Sequence, residues 1–170
     1  GGGGGGGGDG GDGGGGGGGD CFAAGSMVTL ANGDTMPIEY IRVGQKLKSP
    51  NSGTVTVIDL DRPLLAKRTL YRINGRLLTS PEHPILTEDG FKSINPEATA
   101  RVNPNITVTE LKVGDTVRSL RGEETIRTIE PFGKKPDLQL YNFILSGGNT
   151  FYVDGFPVHN NFPNSEHLTT

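Results

Sequence analysis

The clearest local structural signal in this chain is Leu70-Tyr71-Arg72-Ile73-Asn74-Gly75-Arg76-Leu77-Leu78-Thr79. Two short apolar runs flank an Asn-Gly pair, which suits a tight hairpin turn because both of its residues accept a positive φ. The segment therefore predicts two antiparallel strands joined by a two-residue turn.

The same alternation of short apolar runs and turn residues extends in both directions from this hairpin. No window keeps apolar residues at helical spacing over three turns, so we predict an all-β domain. One turn of helix is expected at 37–41, where Pro37 suits a first helical position. A surface loop is expected at 94–107, which carries two prolines and few apolar residues. Strands are predicted at 27–30, 54–58, 70–73, 76–79, 84–87, 116–119, 124–131, 138–145, 150–153 and 157–159.

A weak internal repeat accompanies this pattern. Residues 28–33 followed by 41–47 match residues 85–90 followed by 111–117: a strand, a turn ending in Gly, and then an apolar-Lys/Arg-Val-Gly step into another strand. Two such copies predict a pseudo-twofold β structure. The alternative is that Val-Gly turns recur by chance in β proteins.

Composition bounds the function classes. Residues 1–20 contain 17 Gly and three Asp, and they predict a disordered linker because they have no apolar surface to bury. Calcium-binding β-roll repeats are the alternative, but those need an aliphatic residue about every nine positions. Without the three aspartates the net charge of −3 becomes zero (−3 + 3), so nothing favours nucleic-acid binding.

Other classes are also disfavoured. No apolar run approaches the ~18 residues of a membrane span. The single Cys, Cys21, excludes an internal disulfide and a multi-Cys zinc site, and no cofactor or metal is predicted. Because the sequence starts inside a glycine run, we interpret it as part of a longer protein, and no cellular compartment is indicated.

Three segments, in order, resemble the Hedgehog/intein (Hint) family. Cys21-Phe22-Ala23-Ala24-Gly25-Ser26, with Val28, Leu30 and Asn32-Gly33 after it, is similar to the opening of Hint domains. Leu78-Thr79-Ser80-Pro81-Glu82-His83-Pro84-Ile85-Leu86-Thr87 is similar to their central histidine motif. Residues 141–144, 150–155 and 158–160 are similar to their closing strands.

The closest resemblance is to the bacterial intein-like type. It implies a flat, pseudo-twofold β disc or horseshoe that brings both termini together. It also implies three parts: a flanking linker (1–20), a self-processing Hint domain (21–160) and a C-terminal flanking segment (161–170).

At the N-terminal junction, the resemblance implies that the Cys21 thiol attacks the carbonyl of Asp20 and forms a thioester. The departing amine must be protonated, and the imidazole of His83 is the candidate acid. Family members carry a Thr three residues before this His. Ser80 stands at that place with Thr79 beside it, so either hydroxyl is a candidate. The alternative is that Cys21 packs as a small apolar residue and that His83 caps a turn.

At the C-terminal junction, the resemblance implies that the side-chain amide of Asn160 attacks its own carbonyl. A succinimide forms and the amine of Asn161 is released. His159 is placed to polarise the carbonyl or to protonate that amine, and Asn142 stands where relatives carry a helper Asp or Asn. The alternative is an ordinary polar His-Asn-Asn turn.

Two departures from the family pattern shape the expected outcome. Splicing inteins have Cys, Ser or Thr after the terminal Asn, whereas this chain has Asn161, a poor nucleophile. A further His of the closing strands is replaced by Asn149.

We therefore expect a single-turnover autoprotease that acts in cis and cleaves at both ends more than it splices. Its partners are its own flanking segments, and it acts as a monomer without nucleic acid or membrane. The rival hypotheses are a catalytically weak Hint spacer in a larger secreted, toxin or surface protein, and a calcium-dependent secreted repeat protein.

Overall fold

The computed structural model describes residues 21–133 and 137–160. The expectations for the 1–20 linker and the 161–170 segment, including Asp20 and Asn161, lie outside the described residues. No helix within the two described ranges has the length and apolar character that a membrane crossing requires.

Short strands make up most of the described chain. The first seven are β1 (Phe22–Ala23), β2 (Met27–Thr29), β3 (Thr35–Pro37), β4 (Lys46–Ser49), β5 (Gly53–Asp61), β6 (Leu70–Ile73) and β7 (Leu77–Thr79). The next five are β8 (Ile85–Thr87), β9 (Gly90–Ser93), β10 (Thr109–Glu110), β11 (Thr116–Ser119) and β12 (Gly122–Thr125). The last four are β13 (Ile129–Gly133), β14 (Leu140–Ser146), β15 (Thr150–Val153) and β16 (Phe156–His159). The helical pieces are a 3-10 turn (Ile38–Tyr40) and the helix α1 (Pro96–Val102).

These strands form two sheets. One runs in the order β10-β9-β8-β16-β15-β2-β3, with β11 and β12 attached beside β8. The other runs in the order β13-β6-β7-β1-β14-β5-β4. The predicted all-β architecture is confirmed, and so is the single helical turn after Pro37.

The main core lies between the two sheets. Phe151 on β15 packs against Phe22 on β1 and Phe143 on β14, with ring centroids 6.3 Å and 5.4 Å apart. All three rings are fully buried, and removing one such ring costs on the order of 3–5 kcal/mol. The side chain that follows Cys21 is thus fixed in the core.

The predicted hairpin is confirmed. β6 and β7 pair in antiparallel register with Ile73 opposite Leu77, so the loop holds Asn74, Gly75 and Arg76, one residue more than predicted. Asn74 and Gly75 both have positive φ, 53° and 67°, and the Arg76 amide closes the turn by donating to the Ile73 carbonyl at 3.0 Å.

The internal repeat is visible in matching hydrogen bonds. Gly44 and Gly114 have φ values of 94° and 102°, and their amides donate to Val57 and Ile126 at 2.8 Å in both cases. In each copy the strand that leaves this turn pairs with the strand after it, β4 with β5 and β11 with β12. The predicted pseudo-twofold arrangement follows from these equivalent turns.

Two local predictions are wrong. The expected loop at 94–107 contains α1, because Asn95 caps the helix by accepting from the Ala98 amide and Pro96 occupies a first-turn position where no donor is needed. The expected strand at 124–131 is broken into β12 and β13. Between them the amides of Arg127 and Thr128 donate to the Asn74 side chain instead of continuing a ladder.

Candidate active site

Five residues between β7 and β8, numbers 80–84, join the two sheets, and we call them the crossover segment. On one side, Thr79 of β7 pairs with Phe22 of β1. On the other, Ile85 of β8 pairs with Val158 of β16. The first strand and the last strand of the described domain are therefore held by the two ends of one short segment.

The N-terminal side of the site is built around Cys21. Its side chain is fully buried, beside Leu65, Leu70 and Leu140. Its amide donates to the Ser80 hydroxyl at 2.9 Å, and the Ser80 amide donates to the Cys21 carbonyl at 3.1 Å. The nitrogen of the bond to residue 20 thus touches the oxygen of a serine hydroxyl.

Thr79 makes a different contact. Its hydroxyl donates to the Ser80 carbonyl at 3.2 Å. Of the two candidate hydroxyls, the structure brings that of Ser80 to the Cys21 amide.

Asn142 lies on β14, one residue beyond the pair that Tyr141 forms with Phe22 of β1. On its other side it pairs with Asp61 of β5. The Asn142 side chain is fully buried, and its oxygen accepts from the amide of Phe143 at 2.8 Å.

His83 lies between the two ends of the domain. Its ring packs on that of Phe22, with centroids 4.0 Å apart. Its Nε2 lies 2.6 Å from the carbonyl oxygen of His159. Because a carbonyl oxygen only accepts, this nitrogen carries the hydrogen. One imidazole therefore contacts the residue after Cys21 and the residue before Asn160.

The C-terminal side of the site is a second imidazole–carbonyl pair. His159 Nδ1 lies 2.6 Å from the Asn160 carbonyl oxygen, so Nδ1–H donates to the carbonyl of the bond that joins residues 160 and 161. Burial lowers the pKa of His159 to about 4, and the hydrogen bond to Asn160 acts in the opposite direction. At neutral pH this ring is an uncharged donor. The edge of Phe91 closes over it at 5.0 Å between centroids.

Asn160 is held by its backbone. Its amide donates to the Asn149 carbonyl at 2.8 Å, while the Asn149 side chain is exposed. The side-chain oxygen of Asn160 is buried and has no hydrogen-bond partner among residues 21–133 and 137–160. Leaving a buried polar atom unpaired costs about 1–3 kcal/mol, so this oxygen is a point of stored free energy at the junction.

Sequence reasoning missed the support behind the crossover segment. The amide of Asn95 donates to the Pro81 carbonyl at 2.8 Å, and the hydroxyl of Thr99 in α1 donates to the Glu82 carbonyl at 2.7 Å. The helix that replaces the expected loop therefore fixes the turn that carries Ser80 and His83.

Glu82 is a second residue that sequence reasoning missed. Its side chain is 6 % exposed, and one carboxyl oxygen lies 3.7 Å from Nη1 of Arg68. It stands inside the histidine motif, but nothing in the sequence indicates that a Glu after a Pro turn is buried.

The structure thus brings together Cys21, Ser80, His83, His159 and Asn160 through successive contacts. Two open sheets whose first and last strands meet at the crossover segment, with a buried Cys and a buried Asn at the two ends of the described domain, are the arrangement of a Hint/intein type of domain.

The Hint-domain family Vint matches residues 20–105, just over half of the 170-residue chain, and the chain belongs to this family. The match ends before the closing strands. A search of curated proteins found no match.

Solved structures share the fold. A variant gp41-1 intein matches with a TM-score of 0.64 and 23% identity, over 84% of this chain and 100% of that chain. A bacterial intein-like domain from Clostridium thermocellum matches with 0.62 and 23%, over 82% and 98%. A DnaB intein from Synechocystis sp. PCC 6803 matches with 0.62 and 16%, over 85% and 100%. The resemblance to the Hint/intein family is confirmed, and this fold supports an autoprocessing type of domain in general.

Proposed function

We propose that residues 21–160 form a self-processing domain that acts once, in cis and as a monomer, on its own flanking segments 1–20 and 161–170. The observation that carries the proposal is the crossover segment. It provides a hydroxyl 2.9 Å from the Cys21 nitrogen and an imidazole 2.6 Å from the carbonyl of His159, next to Asn160.

The first step is an N–S acyl shift. The Cys21 thiolate attacks the Asp20 carbonyl, a carbon–sulfur bond forms, and the carbon–nitrogen bond breaks with its electron pair on the nitrogen. That nitrogen must gain a proton. The Ser80 hydroxyl touches it, and His83 is the proposed acid of the site.

The second step is cyclisation of Asn160. Its side-chain nitrogen attacks its own carbonyl carbon and gives up one proton. The bond to the nitrogen of Asn161 breaks, and that nitrogen gains one proton as it leaves as an amine. Charge develops on the carbonyl oxygen, which already accepts from Nδ1–H of His159 at 2.6 Å. A donor prearranged on that oxygen in a buried site stabilises the transition state without reorganisation.

Cleavage at both ends is expected to exceed ligation. Asn161 offers no thiol or hydroxyl to accept the acyl group, so the thioester on Cys21 persists until water hydrolyses it. The neighbouring carboxylate of Asp20 can also attack its own activated carbonyl, and such proximity gives a high effective molarity.

The test is the intact mass of freshly purified protein, followed over time with and without dithiothreitol. Thiol should accelerate release of 1–20, and Cys21→Ala should abolish it. Equal release from the Cys21→Ala variant would remove the nucleophile assignment. A chain that stays intact under all conditions would instead favour the inactive Hint spacer.

His83→Ala separates a chemical role from a folding role. N-terminal release should slow by a factor on the order of 10²–10⁴, the usual effect of losing a positioned acid. Equal loss at both ends together with a changed circular dichroism spectrum would indicate that His83 only supports the fold.

Asn160→Ala tests the second step. This variant should retain the 161–170 tail, and the parent product should first appear as a succinimide, lighter by one water than its hydrolysed form. Asn51→Ala, a change at an exposed asparagine, is the matched control and should release the tail normally. Tail loss from both variants at the parent rate would contradict cyclisation.

A further inference from the structure

A carboxyl group is buried directly behind the Ser80 hydroxyl, and the steps above do not use it. Within the described ranges, Glu82 is the one acidic side chain that is buried. It shares a tight turn with Ser80, closed by a hydrogen bond from the His83 amide to the Ser80 carbonyl at 3.3 Å. The Thr99 hydroxyl holds the Glu82 carbonyl at 2.7 Å, so this turn has a fixed shape.

The partners of this carboxyl group do not satisfy it fully. Its Oε1 is buried without a hydrogen-bond partner among the described residues. The Arg68 guanidinium lies 3.7 Å away, which is an ion pair but too long for a hydrogen bond. Arg68 is itself committed elsewhere, since Nε donates to the Leu65 carbonyl at 3.0 Å and Nη2 to that of Leu64 at 2.6 Å. A buried polar atom left in this state is uncommon in folded proteins, and a catalytic role is one of its recognised explanations.

Two kinds of interaction act in opposite directions on the pKa of the Glu82 carboxyl group. Burial raises the pKa of its carboxyl group. The charge of Arg68, the hydrogen bond from the Ser80 hydroxyl and the more distant charge of Arg101 favour the ionised form. His83 is the remaining titratable group on the same turn. Such a carboxyl group can hold a proton and still release it to a neighbouring oxygen.

We propose that Glu82 is a positioning residue for N-terminal cleavage: it acts through the Ser80 hydroxyl to deliver the proton that the Cys21 nitrogen takes up as the Asp20–Cys21 bond breaks. The inference rests on the proposed function and adds a second proton donor to it: His83 keeps its role as an acid of the site, and Glu82 serves the same nitrogen through the Ser80 hydroxyl.

The proton balance is closed within the site. As the carbon–nitrogen bond breaks, the Ser80 hydroxyl gives its proton to the Cys21 nitrogen, reversing the hydrogen bond now seen at 2.9 Å. The Glu82 carboxyl group re-protonates the Ser80 oxygen. The proton lost from the Cys21 thiol returns to the Glu82 carboxylate, so the net change is transfer of one proton from sulfur to nitrogen.

The test is a double-mutant cycle in the full chain. Thiol-dependent release of 1–20 and release of 161–170 are measured together by mass for the parent, Glu82→Gln, Ser80→Ala and the double variant. Glu82→Gln should slow N-terminal release about tenfold or more, the scale seen when a partner behind a functional group is lost. C-terminal release should stay within about twofold of the parent. In the Ser80→Ala background, Glu82→Gln should have no further effect, because its route is gone.

A pH profile and a matched control complete the design. The parent rate should carry a component that declines as Glu82 loses its proton with rising pH, and Glu82→Gln should lack that component. Glu88→Gln is the control: this exposed carboxylate also pairs with an arginine, Arg118, at 3.6 Å, and its loss should leave both releases unchanged.

Three results would overturn the inference. One is full N-terminal activity in Glu82→Gln, and the second is an equal slowing with and without the Ser80 hydroxyl. The third is an equal loss at both ends, which would reduce Glu82 to a structural ion pair. If the parent chain releases no 1–20 fragment when thiol is added, the proposed function itself is wrong. That result is obtained before any variant is compared, so it is distinct from a failure of the Glu82 inference.

Discussion

Burial of His159 makes the stability of this domain depend on pH in a defined direction. The folded ring has a pKa of about 4, against an ordinary value of 6.5. As the pH falls below 6.5, the unfolded chain takes up a proton that the folded chain refuses. The contribution of His159 to the free energy of unfolding is therefore complete above its ordinary pKa, and it is lost as the pH falls from 6.5 towards 4.

The magnitude follows from the same two values. At about 1.36 kcal/mol for each pH unit between them, the full loss is about 3 kcal/mol. At about pH 5, most of this interval has been crossed and the loss is about 2 kcal/mol. That is a large share of the ~5–15 kcal/mol that hold a typical domain folded.

The assay is urea unfolding of a chain made inert by Cys21→Ala and Asn160→Ala, compared with the same chain carrying His159→Gln. The free energy of unfolding should fall between about pH 7.5 and pH 5 by about 2 kcal/mol more in the protein that keeps the histidine. Contributions from other groups, including the buried Glu82, are common to both proteins and cancel. Parallel loss of stability in the two proteins would refute the reasoning, because it would mean that His159 gains a proton as easily folded as unfolded.

Three further predictions concern the hairpin, the helix and the junction. Gly75→Ala should destabilise the domain by about 1 kcal/mol in thermal unfolding. A Cβ would have open space there, but a φ of 67° is strained for a residue with a side chain. An unchanged melting midpoint would mean that the turn rearranges without cost. Thr99→Val should slow release of 1–20 more than release of 161–170, because it removes the hydrogen bond from α1 to the Glu82 carbonyl. Thr107→Val, beyond that helix, is the control, and equal slowing by the two variants would contradict the prediction. Asn161→Cys should shift the products towards ligated 1–20/161–170, measured by mass, and an unchanged ratio would mean that the missing nucleophile does not limit splicing.

The sequence predicts the framework of this fold because its signals are local. An Asn-Gly turn needs only two residues that accept a positive φ, and Asn74 and Gly75 both adopt it. The repeated turns stay within one copy each: the Gly44 amide reaches Val57 in β5, and the Gly114 amide reaches Ile126, the residue that follows β12.

The missed elements depend on contacts between distant parts of the chain or on one misread residue. The two prolines of the 94–107 segment favour a loop, although Pro96 stands at a helix start, where its missing donor costs nothing. The burial of Glu82 depends on Arg68 and on α1, which only the folded chain brings to the histidine motif. The choice between Thr79 and Ser80 likewise depends on the pairing of β7 with β1, because neighbouring strand residues point to opposite faces.

The crossover segment also bears on how such domains can change in evolution. Its five residues connect two strands whose registers are both set, Thr79 against Phe22 and Ile85 against Val158. A substitution within it alters one contact, but an inserted or deleted residue must slip one register and turn that strand's buried face outward. Hairpin tips and surface loops tolerate insertions at little entropic cost. We therefore expect related domains to vary in length at hairpin tips and surface loops. The number of residues from Ser80 to His83 should stay constant. This spacing should then mark common descent better than overall sequence identity does.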